Sequence, residues 1–453
     1  MRKILNAIAK KTVGGALVLA MAIASMGAPV VQAATKSKNY VSPYEGKKYI
    51  FATDYNTGIY AYNKKGKLVK NYTVLKGQAK EYSMGVVYKT KSYLYYCDTN
   101  KGYSQNGNVW QIPVNKKTEK LNLKKKKKLF HVKGWDGFVY ATDKKIVFNR
   151  RGGLYSYNKK TKKKKNLTGL ANRDNMVYVA RDSEGRIVKA GNCVYYTVVS
   201  YSSGGDGDAG LFELNLKTGK ERQVTTSIAM PWRLRFGHDY SESDPIIGVS
   251  DSELYIPTGS KVVKYNTKTK KTVTLIQYKN SSELESTMSI YNCIASNAGI
   301  DNIKEWDIMG IHSYGKKLYM EVRVKYNYAT PSGDSYQEYG NTFDVKNIML
   351  SMNKKDGSNL IYEEDMSKFL ASHGAESKDS DYDGIDNWTT HTGSMMSLTS
   401  KGVWIAEFVN QKGNRSYYTY NMKTKKQGVY SQKKAKLELL KRGIQDDALP
   451  LIC

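Results

Sequence analysis

The sequence predicts an all-β fold: a seven-bladed β-propeller of four-stranded antiparallel blades, followed by a short C-terminal helix and tail. Three observations predict it. A strand-and-turn phrase recurs seven times along the chain, and a second apolar phrase precedes each copy. The composition also suits strands, because Tyr supplies 37 of the 453 residues against 9 Phe, with 40% hydrophobic and 11% aromatic content. Tyr, Val, Ile and Thr fit a pleated, half-buried surface. The 8 Pro and 38 Gly do not suggest disorder.

The recurring phrase is an apolar/Tyr strand, then Asn, then a Lys-rich turn. It first reads Ile59-Tyr60-Ala61-Tyr62-Asn63-Lys64-Lys65, and it returns around Asn115, Asn158, Asn215, Asn266, Asn353 and Asn421. The phrase that precedes each copy begins with Lys48-Tyr49-Ile50-Phe51 and continues through Tyr93-Leu94-Tyr95-Tyr96 to Gly402-Val403-Trp404-Ile405. The pair reads as the second and third strands of a blade, by its period-two alternation. The Asn-Lys segments read as hairpin turns, where Asn and Gly tolerate left-handed backbone. Candidate inner strands precede most pairs, for example Gly137-Phe138-Val139-Tyr140 and Ile246-Ile247-Gly248-Val249. These phrases resemble secreted propeller repeats of the TolB-like and low-density-lipoprotein-receptor-like kind, over residues 44–432. A Lys-rich β-sandwich is the alternative. Seven matched phrases favour radial repetition, which protects strand edges.

The termini carry separate expectations. Residues 1–33 read as a signal peptide, with Arg2, Lys3, Lys10 and Lys11 as a basic start and Val13 to Ala24 as an apolar stretch. Val31-Gln32-Ala33 supplies the cleavage positions, which makes Ala34 the expected mature start. The apolar stretch is shorter than the about 20 residues a bilayer span takes. Residues 34–43 read as a linker and 433–453 as a helix and tail. Blade one lacks an evident inner strand, so the tail either returns to complete it and close the ring or is frayed. Pro450 weighs against the first. Cys97, Cys193, Cys293 and Cys453 show no disulfide framework or zinc spacing and are expected to be buried or idle thiols.

Charge narrows the function. Lys plus Arg is 72 and Asp plus Glu is 41, a formal net charge of +31. Without the four basic leader residues it is +27. Only 12 of the basic residues are Arg. Lys is a hydrated point charge, whereas Arg makes the planar fork of specific phosphate recognition. Diffuse attraction to an anionic surface is therefore expected, with no sequence-specific nucleic-acid reading. The Lys-rich turns all join third and fourth strands, so they converge on one face of a propeller as a basic ring. Lys124 to Lys128 and Lys162 to Lys165 reinforce it. The ring is either a docking surface for an anionic polymer or simply a soluble face.

The long inserts, Thr226 to Asp244, Lys279 to Trp306 and Glu364 to His391, are expected on the opposite face. Together with shorter connections they offer Trp135, Trp232, Trp306, Trp388, His131 and His391 as candidate ligand-binding residues, since aromatic rings with polar neighbours suit sugar or peptide binding. Asp379-Ser380-Asp381-Tyr382-Asp383-Gly384-Ile385-Asp386 resembles the D-x-D-x-D-G calcium loops of EF-hand, dockerin and thrombospondin type-3 repeats. That resemblance implies calcium on Asp379, Asp381, Asp383, the Ile385 carbonyl and Asp386. Thr390 stands where an EF-hand has its bidentate acid, so a merely solvated acidic loop stays open. A catalytic reading would rest on His238 and Asp239 as base and orienter, with Arg233 or Arg235 neutralising a substrate carboxylate. No H-x-H, H-E-x-x-H or G-x-S-x-G accompanies them. The expected function is extracellular, non-catalytic binding or scaffolding of an anionic cell-surface polymer, a glycan or a surface protein. A polysaccharide lyase or hydrolase and a purely structural surface protein are the alternatives.

Overall fold

The computed structural model describes residues 40–41 and most of 44–431; its longer omissions are 201–209, 278–287, 330–341, 366–377 and 381–395. The chain divides into two units, Met1–Ser37 and Lys38–Cys453, and the described residues all belong to the second. Among them, each of the seven phrase pairs forms the central hairpin of an antiparallel sheet. We number these sheets I to VII in chain order.

Sheet I contains Tyr49–Thr53, Gly58–Asn63 and Leu68–Thr73. Sheet II is built on Tyr93–Asn100, Gly107–Pro113 and Lys127–Val132, with Tyr82–Met84 and Tyr88–Lys89 both on the inner edge. Sheet III has Trp135–Ala141, Lys145–Arg150, Gly153–Asn158 and Lys164–Asn166. Sheet IV has Ile187–Ala190 and Asn175–Val179 on Cys193–Ser200, then Leu211–Asn215 and Glu221–Thr225. Sheet V has Gly248–Val249, Glu253–Pro257, Lys261–Asn266 and Thr272–Gln277. Sheet VI has Ile303–Tyr314, Lys317–Ala329, Thr342–Asn353 and Ile361–Asp365. Sheet VII has Met396–Leu398, Val403–Val409, Arg415–Asn421 and Lys426–Tyr430. A small hairpin, Arg233–Leu234 with Tyr240–Ser241, stands apart.

Consecutive sheets pack face to face, and this makes the arrangement a β-propeller. Ile50, Phe51 and Tyr62 of sheet I share a core with Leu94, Tyr96 and Ile112 of sheet II. Tyr95 and Phe130 of sheet II meet Phe138 and Phe148 of sheet III. The series continues through Val147 with Val194, Tyr195 with Tyr265, and Val262 with Leu318. His312 of sheet VI packs edge-on against Trp404 of sheet VII, 5.9 Å between ring centroids. A central strand between two sheets is thus covered on both faces, which is why Lys145–Arg150 of sheet III buries four residues in a row, Phe148 towards sheet II and Val147 towards sheet IV, rather than alternating. The outer strands carry the water-facing residues, as the largely exposed Leu68–Thr73 and Glu221–Thr225 show.

Sheet I has an inner-edge partner. Glu45 bridges Ile50, and the Phe51 N–H donates to the Tyr44 carbonyl at 2.9 Å. Just upstream, Tyr40–Val41 pairs with Ile187–Val188 on the inner strand of sheet IV. Residues 1–33 and 433–453, the expected leader, helix and tail, lie outside the described residues.

Two of the long inserts converge on sheet VI. Residues 288–298 form a helix, α1, whose Ile290 and Ile294 are fully buried against Trp306, Ile308 and Val324. Lys378–Ser380 pairs with Thr342–Asp344 at the far end of the same sheet. The inner strand of sheet VI begins at Ile303, so Trp306 is a strand residue and not part of a loop.

Candidate functional site

The Lys-rich turns share one construction. The Asn side-chain Oδ1 accepts the backbone N–H groups two and three residues on, as Asn115 does from Lys117 and Thr118, both at 2.9 Å. Asn158, Asn215, Asn266 and Asn421 repeat the pair. The residue four on adopts the left-handed region: Glu119, Lys162, Gly219, Lys270, Gly357 and Lys425, with φ between 57 and 79°. The shorter first turn places Gly66 there, three residues after Asn63. Asn therefore works as a side-chain acceptor, and the left-handed step falls further along.

The position two residues after Asn is Lys in all seven turns: Lys65, Lys117, Lys160, Lys217, Lys268, Lys355 and Lys423. All seven are exposed. The turn uses only their backbone N–H, so nothing in its construction calls for a cation. The turns share a face with the connections between first and second strands. Lys159 N–H donates to the Lys144 carbonyl at 2.9 Å, Leu216 to Asn192 at 2.8 Å, and Lys354 to Lys316 at 3.1 Å.

Other turn side chains hold neighbouring sheets together. Glu119 is buried and accepts the backbone N–H groups of Lys47, Lys48 and Tyr49 in sheet I, and pairs with Lys89 at 2.8 Å. Burial alone would raise its carboxyl, but Lys89 and those N–H groups overcome this and bring it down to about 2. Lys270 of sheet V reaches Glu213 of sheet IV at 2.7 Å, where Tyr195 and Tyr265 also donate at 2.8 and 3.0 Å. Lys425 of sheet VII pairs with Glu363 of sheet VI, which also takes Lys317 at 2.7 Å. Burial opposes ionisation of Glu213 and Glu363, yet their lysine and hydroxyl donors hold both below the usual carboxylate range. Lys159 donates to the Tyr95 hydroxyl at 2.9 Å and lies 3.8 Å from the Tyr93 ring centroid. Burial depresses its amine to about 8, against the pull of Asp143 and with a further push from Lys127.

The sequence-predicted site residues do not gather. Trp135 begins the inner strand of sheet III, 4% exposed, stacked 5.6 Å from Phe148 and edge-on to Phe138 at 4.7 Å. Trp306 is 7% exposed within the core that covers α1. Both are buried because they stand on strands whose faces a neighbouring element covers. His131 is exposed on the outer strand of sheet II, with Nδ1 3.3 Å from Asn108 Oδ1. Arg233 lies in the small hairpin. Trp232, Trp388, His391, Arg235, His238 and Asp239 lie outside the described residues. Of the calcium loop, Asp379 pairs with Phe343 in a strand, while Asp381, Asp383, Ile385 and Asp386 lie outside the described residues. Among the described residues no cluster of His, Cys, Asp or Glu could hold a metal ion, and no helix is long and apolar enough to cross a membrane. Cys97, Cys193 and Cys293 are free thiols raised by burial.

No protein-family model and no curated protein matches the sequence. Solved structures do overlap it. TolB from Acinetobacter baumannii is 12% identical over 70% of this chain and 63% of its own, with a TM-score of 0.30. Dipeptidyl peptidase 4 from Porphyromonas gingivalis is 11% identical over 90% of this chain and 61% of its own, at 0.39. The β-propeller domain of the trilobed protease from Pyrococcus furiosus is 9% identical over 86% and 97%, at 0.36. This chain thus spans less than two thirds of the first two. These overlaps carry no inference about activity or ligand.

Proposed function

We propose that this chain works outside the cell as a binding propeller that docks through its lysine-bearing turn face onto an anionic cell-surface polymer. The observation that carries the reading is the exposed lysine two residues after Asn in every turn, a position where the fold needs only a backbone N–H. Placing like charges together on one face costs repulsion, and a polyanion would relieve it. Export by residues 1–33 belongs to the same proposal, as does calcium at the loop that follows Asp379.

The test is chromatography of the chain from Ala34 on immobilised wall teichoic acid, an acidic polysaccharide, DNA and a neutral glycan. Each column is run across a salt series, with calcium and with a chelator. The expected result is retention on every polyanion that fades as salt rises, and none on the neutral glycan. Retention on the neutral glycan alone would overturn the proposal. Salt-resistant, calcium-dependent retention on one glycan would move the site to the Asp379 loop.

A further inference from the structure

The exposed lysines are unequally shared among the sheets. Residues 115–130 of sheet II hold seven of them and residues 158–168 of sheet III hold five. The one carboxylate in those two segments is Glu119, which is buried and engaged by Lys89 and three backbone N–H groups. Acids dilute the charge in sheets VI and IV, where Asp356 follows Lys355 and Glu221 follows Lys220, and the turns of sheets I, V and VII carry fewer exposed lysines.

The two dense segments are also brought together. Lys164 on the outer strand of sheet III donates to the His131 carbonyl on the outer strand of sheet II at 2.6 Å, and lies 5.1 Å from the Phe130 ring centroid. The Tyr157 hydroxyl donates to the Leu129 carbonyl at 3.2 Å. On the other side, Lys126 donates to the Val74 carbonyl at 2.7 Å and sits 4.6 Å over the Trp110 ring. Lys164 and Tyr157 therefore hold the two outer strands side by side, Lys126 ties sheet II back to Val74, and Lys124, Lys125, Lys127, Lys128, Lys163 and Lys165 stay exposed around them.

We propose that the outer strands of sheets II and III, joined at Lys164 and His131, form the primary contact strip for a linear polyanion of high charge density, which the remaining turn lysines attract only diffusely. This rests on docking through the turn face. Neither segment contains Arg, so neither offers the planar fork that reads one phosphate or carboxylate bidentately. Point charges on flexible stems select closely spaced anions along a chain, whatever sugar or base lies between them. Mutual crowding is already felt by the lysines nearby. Burial depresses the Lys164 amine and Arg150 adds to it; burial depresses Lys145 and Lys165 adds to it. A bound anion would offset that repulsion.

Two variants of the full mature chain, each lacking four charges, separate the strip from the face. K127Q/K128Q/K163Q/K165Q removes four of the six exposed lysines of the strip, and K217Q/K268Q/K355Q/K423Q empties the equivalent turn position of sheets IV to VII. The probes are long-chain inorganic polyphosphate for phosphate and polygalacturonate for carboxylate. The strip variant is expected to bind at least tenfold more weakly at about 50 mM salt, with its log–log salt slope reduced by roughly 3, since each lost contact removes about 0.7 to 0.9. The other variant is expected to lose less than threefold. Loss on both probes supports recognition by charge density, and loss on one identifies the anion. Equal losses for the two variants would overturn the strip and leave docking through the whole face standing. An unmodified chain that binds neither probe would overturn both proposals.

Discussion

Glu119 shows how much one turn side chain does here. It occupies a left-handed position at φ 59° in a lysine-dense segment, yet its carboxylate faces sheet I and not solvent. Gly46 makes room for it, because a Cβ there would lie 2.6 Å from a Glu119 carboxylate oxygen. The carboxyl titrates near 2 in the fold, against an ordinary value of 4.5. A carboxylate held down in this way stabilises the fold fully above its unfolded pKa. The contribution is then lost as pH falls towards the folded value. Glu119→Gln is expected to cost roughly 2–3 kcal/mol at neutral pH. Urea unfolding across a pH series checks this: the loss should shrink as pH drops from about 4.5 towards 2, and parallel curves for the two proteins would refute the role. Nothing in the local sequence marks Glu119 as different from an exposed acid among lysines. Its backbone partners in sheet I are about seventy residues away, with Lys47 at a separation of 72.

At the scale of an element, the turn is the unit that repeats and, in the proposed function, the unit that docks. Gly357 stands at φ 79°, and a Cβ on it would fall 2.1 Å from the Leu275 carbonyl oxygen of sheet V. Gly191 stands at φ 56° with open space around the same position. Gly357→Ala must displace backbone of the next sheet, so it should cost about 3 kcal/mol or more. Gly191→Ala bears only the left-handed penalty of about 1–2 kcal/mol. Equal losses in urea unfolding would mean that the turn of sheet VI does not lean on sheet V as described. The turns were legible in the sequence through their Asn and Lys. The residue four positions on was not, because Glu, Lys and Gly share that backbone and only the neighbouring sheet tells them apart. The inserts were less legible still. Met288–Ala298 is a helix, and Trp306 and Trp135 stand on strands. An aromatic residue next to polar neighbours reads the same in a loop as at the start of a strand that a second sheet will cover.

At the scale of the whole molecule, a net charge of +31 acts against compaction. The ion pairs at Glu119, Glu213 and Glu363 are largely shielded from water on the carboxylate side, with side-chain exposures of 5, 8 and 4%. Salt screens the exposed lysines far more than those pairs. The melting temperature is therefore expected to rise as sodium chloride goes from about 10 mM to about 300 mM, where the Debye length falls from roughly 30 Å to below 10 Å. A fall would mean that exposed ion pairs outweigh the repulsion between turns.

The sequence by itself determined the repeat, the two central strands of each sheet, the Asn-anchored turns and the basic excess. All of these are written within a few neighbouring residues, in periodicity, turn chemistry and charge. The tertiary structure alone decided which turn residue reaches which carboxylate, that the inserts before Ile303 and after Asp365 meet on sheet VI, and that the lysines of sheets II and III lie together. Those relations join residues a whole sheet apart in the chain, and no local pattern records the partner across the gap.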